Sequence, residues 1–233
     1  KGCKCCVQYR VEILGSDLYR LVKGLTLAPK EFVYLAKFAR DATIPHPIFL
    51  SRERTPYQLC LQKKPAKKPP KPNADNTKST QPCIFLVEFD SFTKRCGVYP
   101  HRPMVCRTFP TTSTTFGIDV PQRDACPPRA WTIERVDITT SHLLHTLARI
   151  ERDIYIAFLE HWNTIADATP EDRRLSPDAF YFSLLKFYGS LDEAHSACFD
   201  RPDTQAALAV LAAGDPTPLA TLDPDQHHAP SRG

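Results

Sequence analysis

The sequence predicts an α+β fold: a small cysteine-rich module with short strands, followed by a helical carboxy-terminal region. Three observations predict it. Apolar runs in the first half are short and interrupted by turn residues, as in "IFLS", "YQLCLQ" and "PCIFLVEF". From about residue 139 the apolar residues recur at steps of three and four, the period of a helix buried on one side. The cysteines gather before residue 127, with Cys198 alone beyond it. These patterns divide the chain into a cysteine-rich module over 1–135, a helical region over 136–214 and a disordered tail over 215–233.

Taken in chain order, Ser16 is a fitting N-cap for a short helix through "DLYRLVKG", with Gly24 as its stop. Pro29 opens a second helix, "PKEFVYLAKFARDA", in which Phe32, Leu35 and Phe38 or Ala39 share a face. The runs "IFLS" and "YQLCLQ", separated by polar "RERTP", form a pair of short strands. Cys60 lies in the second and reads as a small buried side chain. Residues 63–82 are Lys, Pro, Asn, Ser and Thr with almost nothing apolar, so burial cannot offset the entropy of ordering them. They form a disordered insertion inside the module.

Order resumes at "PCIFLVEF", whose β-branched and aromatic residues make a strand beginning beside Cys83. A polar, turn-rich connection then leads to "ACPPR" around Cys126. Leu143, Leu147, Ile150, Ile154, Phe158, Trp162 and Ile165 mark the apolar face of one long helix. Ser176-Pro177 caps another through "DAFYFSLLKFY", stopped by Gly189. A third, Ala-rich helix follows in "DTQAALAVLAA", ending at Gly214.

Composition narrows the function classes. No apolar run reaches the roughly 20 residues of a membrane span, so a soluble, cytoplasmic protein with no membrane partner is expected. The first residue is Lys1, and the sequence reads as a fragment or a processed chain. The net charge of +4 comes from one run: without Lys63, Lys64, Lys67, Lys68 and Lys71, the 30 basic residues fall to 25 against 26 acidic ones. "KKPAKKPPKP" is therefore a solvated, proline-stiffened loop and gives no strong nucleic-acid signal. No glycine-rich phosphate loop and no nucleophile elbow is present.

Nine cysteines are too few for a disulfide scaffold, and their number is odd. Bridging adjacent Cys5 and Cys6 would strain the backbone, whereas a metal draws thiolates from any direction. Zinc takes four Cys or His ligands and an iron–sulfur cubane four thiolates, so at least six candidates compete for four places. In "CGVYPHRPMVCRTFP", Cys96 and Cys106 flank a Pro-constrained turn. Arg102 and Arg107 beside them would lower the thiol pKa and offset thiolate charge. Surface pairing with Glu88 or Asp90 is the alternative role for these arginines. His101 is a lesser ligand candidate and Tyr99 a core residue. His142, His145 and Glu151 mimic a metal-binding helix, yet fit the polar face of the long helix better.

"GCKCC", the helix "SDLYRLVKGLTLAPKEF", "PCIFL" and "CGVYPHRPMVCRTFP" follow in that order, and together resemble the bacterial YkgJ-like cysteine-cluster family, a zinc- or iron-chelating domain with a CxxCxxCC signature. The likeness spans roughly residues 1–130. It implies a metal-binding protein whose ligands are Cys83, Cys96 and Cys106 at the centre, the vicinal pair Cys5 and Cys6, and the later Cys126. Cys3 is the remaining amino-terminal candidate, at a one-residue gap where the family has two. The flagellin lysine methylases carry a similar cysteine module. An iron–sulfur-dependent redox or protein-modification enzyme, acting on a protein partner or substrate, is accordingly the second expectation. An extracellular disulfide protein is the third.

Overall fold

The computed structural model describes residues 5–65, 81–89, 94–120, 134, 136–170 and 173–199. Of the 63–82 insertion, residues 66–80 lie outside these, as do the Ala-rich stretch and the tail expected after residue 200. Short antiparallel strands occupy the first half and helices the second, an α+β chain. It divides into two compact units, 1–188 and 189–233.

In the first unit, α1 (Cys5–Gln8) is a single turn and α2 (Gly15–Leu25) a true helix. α2 begins one residue before the expected cap, because the Leu14 N–H donates to Asp17 Oδ2 at 3.0 Å. The Ser16 hydroxyl turns away to donate to Glu151. At the other end Thr26, not Gly24, adopts the left-handed conformation, with φ 56°. Gly24 serves a different purpose: the His101 ring lies so close that an added Cβ would meet it at 2.5 Å.

The helix expected after Pro29 is only a 3-10 turn, Pro29–Glu31, followed by strand β1 (Val33–Lys37). β1 pairs antiparallel with β2 (Tyr57–Leu61), Leu35 opposite Leu59. Val33 and Tyr34 suit a pleated surface, and burial against β2 outweighs a helical periodicity that only Phe32, Leu35 and Phe38 or Ala39 supported. "IFLS" contributes only a bridge, Ile48 opposite Tyr57. Two further hairpins follow, β3 (Leu86–Glu88) with β4 (Lys94–Cys96), and β5 (Thr112–Thr114) with β6 (Gly117–Asp119). Between them lie a 3-10 turn, Tyr99–His101, and the short helix α3 (Met104–Thr108).

Helix α4 (Ile138–Ala168) is capped by the Asp137 side chain, which accepts from Thr140 N at 3.0 Å. Its buried face departs from the expected stripe. Ser141, Ala148, Tyr155, Phe158, Leu159, Trp162 and Ala166 face inward, while Leu143, Leu147, Ile150 and Ile165 are exposed. Only Phe158 and Trp162 belong to both sets; over the first half of the helix the interior is met by small residues, which let the chain below approach closely. Helix α5 (Pro177–Phe199) starts at Ser176, whose Oγ accepts from Ala179 N, and passes through Gly189 without stopping. Gly189 sits in open space, so its cost is the modest helix propensity of glycine alone.

Phe180, Leu184 and Trp162 from these helices share one hydrophobic core with Ile13, Leu18 and Leu59. Trp162 Nε1 also donates to Phe49 O at 2.8 Å, and Asn163 bonds both Phe49 N and Pro47 O. No helix among the described residues is long and apolar enough to cross a membrane.

Candidate metal centre

Four cysteines from four segments line one cavity of about 1010 Å³: Cys6 from α1, Cys83 before β3, Cys96 at the end of β4 and Cys106 in α3. Backbone pairing explains the convergence. Cys83 N donates to Cys6 O at 2.7 Å, which ties the amino-terminal turn to the entrance of the β3–β4 hairpin. Leu86 pairs with Cys96 across that hairpin, so Cys83 and Cys96 are brought to the same end. Val98, Tyr99 and Pro103 then turn the chain so that α3 returns Cys106 to the cavity, Cys106 N donating to Pro103 O at 2.9 Å.

The electrostatics mark the four as mutual neighbours. Burial chiefly pushes the Cys106 thiol up to about 12, and Cys6, Cys83 and Cys96 add to the shift. The Cys83 thiol is raised by burial and then by Cys6, against a backbone hydrogen bond from Phe85 that lowers it. Cys96 is raised by burial and by Cys6, while Arg102 and the Val98 N–H act in the other direction. A cluster of thiols that resist ionisation through burial and one another is a donor set that a cation converts into thiolates. Among the described residues, no three His, Cys, Asp or Glu side chains already stand close enough to hold a metal ion. Cys3 and Cys126 lie outside the described residues, and Cys5 is described only as part of the α1 backbone.

The two arginines differ. The Arg102 guanidinium stacks 4.0 Å over the ring of Tyr99, lines the cavity and buries an Nε that has no hydrogen-bond partner among the described residues. A leftover buried donor beside thiols is matched by thiolate sulfur, a weak acceptor that carries charge. Arg107 instead donates from Nε to Arg102 O and from Nη2 to Pro100 O, both at 2.8 Å, which clamps the turn between Cys96 and Cys106. Tyr99, expected in the core, is 64% exposed beneath Arg102.

Cys60 stands apart from the cavity: fully buried in β2, with its thiol pushed up to about 12 chiefly by burial. His101 packs on Gly24, and His145 Nε2 meets Thr111 Oγ1 at 3.0 Å. Glu151 accepts from Arg20 Nη1 at 2.6 Å and from Ser16. These groups serve packing and bridging between elements.

Sequence reasoning missed Asp17, which is 1% exposed. Its Oδ1 accepts from Met104 N at 2.8 Å and from Arg20 Nη2 at 2.6 Å. An acid three residues after a helix cap is an ordinary capping signal, and that signal concealed a second bond to a residue 87 positions away.

An α+β chain that brings several cysteines to one cavity is of the class built to hold a thiophilic metal. The family model described as "Putative zinc- or iron-chelating domain", CxxCxxCC, matches residues 1–127, and the chain belongs to that family. Zinc or iron is thus the metal class, with zinc and an iron–sulfur cluster both suiting thiolate ligands. Neither a curated protein nor a solved structure matches the chain.

Proposed function

We propose that this chain holds zinc or an iron–sulfur cluster through Cys6, Cys83, Cys96 and Cys106, with Cys3, Cys5 and Cys126 as the further donors. The observation that carries this reading is the single cavity lined by the four cysteines. Arg102 would offset thiolate charge from its place over Tyr99, and Arg107 would hold the ligand turn in shape. When bound, the metal supplies a positive centre that keeps the thiols ionised and ties distant segments together. Chain purified without oxygen should contain stoichiometric zinc or iron and lose structure on chelation, because the affinity of a structural metal is folding free energy. Absence of both metals from folded protein would overturn the reading.

The size of the cavity supports a second reading, an iron–sulfur redox or protein-modification enzyme with a protein partner or substrate. Apolar side chains such as Val87, Val105 and Phe109 line it together with the cysteines, and its volume far exceeds that of an ion. A visible charge-transfer absorption that bleaches reversibly with reductant favours this reading. A colourless zinc protein refutes it.

A further inference from the structure

One face of α2 seats the chain that carries Cys106. Asp17, Leu21 and Gly24 fall at positions i, i+4 and i+7, on the same side of the helix. At the first of them Asp17 Oδ1 fixes the N–H of Met104, two residues before Cys106. The fully buried Leu21 lies between. At the third, the bare Cα of Gly24 receives the ring of His101. The segment 101–104 is thereby fixed at both ends by a helix that supplies no cysteine of its own.

A cap for α2 alone needs no burial of its acid. The Leu14 N–H would be satisfied by a carboxylate at the surface, where its charge is solvated. Here the carboxylate is nearly inaccessible and accepts from three donors, Leu14 N, Met104 N and Arg20 Nη2, on both of its oxygens. Arg20 in turn binds Glu151, so the arrangement is also braced from α4. A buried charge bonded to both α2 and α3, and linked to α4 through Arg20, fixes their relative placement, because any displacement leaves it unpaired.

We propose that Asp17 is a positioning residue for the metal centre: by holding Met104 it sets where the Cys106 thiolate meets the metal, with Gly24 admitting His101 as the second brace. This rests on the metal-binding reading above. A group that orients a ligand characteristically changes metal affinity ten- to hundredfold when removed.

The test titrates full-length chain with zinc against a chelator, and with cobalt(II), whose thiolate charge-transfer intensity scales with the number of bound sulfurs. Asp17→Ala should weaken zinc tenfold or more and lower the cobalt band per bound metal. Asp17→Asn, whose Oδ1 still accepts from Met104 while its Nδ2 faces the Leu14 N–H, should recover part of both. Asn163→Ala serves as a control, since it breaks hydrogen bonds to Phe49 and Pro47 away from α2 and should leave affinity unchanged. If Asp17→Ala does not fold, Gly24→Ala takes its place: the new methyl displaces His101 without removing charge, and the same losses are expected. Folded Asp17→Ala or Gly24→Ala chain with wild-type zinc affinity and cobalt spectrum overturns the positioning role while the metal reading stands. Wild-type chain that binds neither zinc nor cobalt and carries no iron when purified without oxygen overturns both.

Discussion

Zinc binding will release protons, in a number that counts the thiols converted. Burial and mutual proximity raise the thiols of Cys83, Cys96 and Cys106, the last from 9.0 to about 12, so at pH 7 all three carry their protons in the metal-free chain. Ligation as thiolates must remove them. Each proton released makes the apparent affinity rise by one decade per pH unit, so these cysteines alone give about three decades, or roughly 4 kcal/mol, for each unit gained below pH 9. Calorimetry of the metal-free chain with zinc, repeated in buffers of different ionisation enthalpy, measures the release directly. The expected value is at least about three protons per zinc. The same thiols act on the metal-free fold with a defined sign: a pKa raised by folding stabilises fully below the unfolded value, near 9, and that contribution is lost as the pH climbs through the folded value, which for Cys106 is about 12. Release of fewer than one proton, with affinity flat between pH 6.5 and 8.5, would refute the thiolate assignment.

Three other perturbations separate the roles of neighbouring residues. Cys60→Ala should cost about 1 kcal/mol in urea unfolding and leave the metal content unchanged, since Cys60 packs in β2 away from the cavity. Arg107→Lys keeps the charge but cannot reach the carbonyls of both Pro100 and Arg102, so metal affinity measured by chelator competition should fall as far as in Arg107→Ala; rescue by lysine would show that charge is what matters. Phe180→Ala removes a fully buried ring in contact with Phe158, Trp162 and Tyr181, and should cost about 3–5 kcal/mol by denaturant melts.

What the sequence made legible follows from how local each signal is. The α+β class was readable because strand-like runs and helical periodicity occupy different halves of the chain. The β1 strand was not, since "EFVYLAKF" satisfies a helical period over a few residues and only its pairing with β2 decides the outcome. The register of α4 failed similarly. Leu143, Leu147 and Ile150 outrank Ser141 and Ala148 on any hydrophobicity scale, yet close packing selects the small residues. At the candidate site, cysteine spacing and an ordered motif made Cys83, Cys96 and Cys106 conspicuous. The separate duties of Arg102 and Arg107 and the brace from Asp17 depend on contacts that no spacing encodes.

The hydrogen bond from Cys83 N to Cys6 O has a topological meaning. Three of the cavity's cysteines come from one short stretch, residues 83–106, while Cys6 enters from the far end of the module. A metal gripping Cys6 and Cys106 together closes a loop on the order of 100 residues, a constraint worth about 4–5 kcal/mol by the chain-entropy reasoning used for covalent cross-links. Without the metal, the turn that carries Cys6 keeps its backbone hydrogen bond from Cys83 and the packing of Cys6 and Val7 on the core. Metal occupancy would then set how firmly the segment carrying Cys6 is held to the hairpin, and so how readily a protease reaches it.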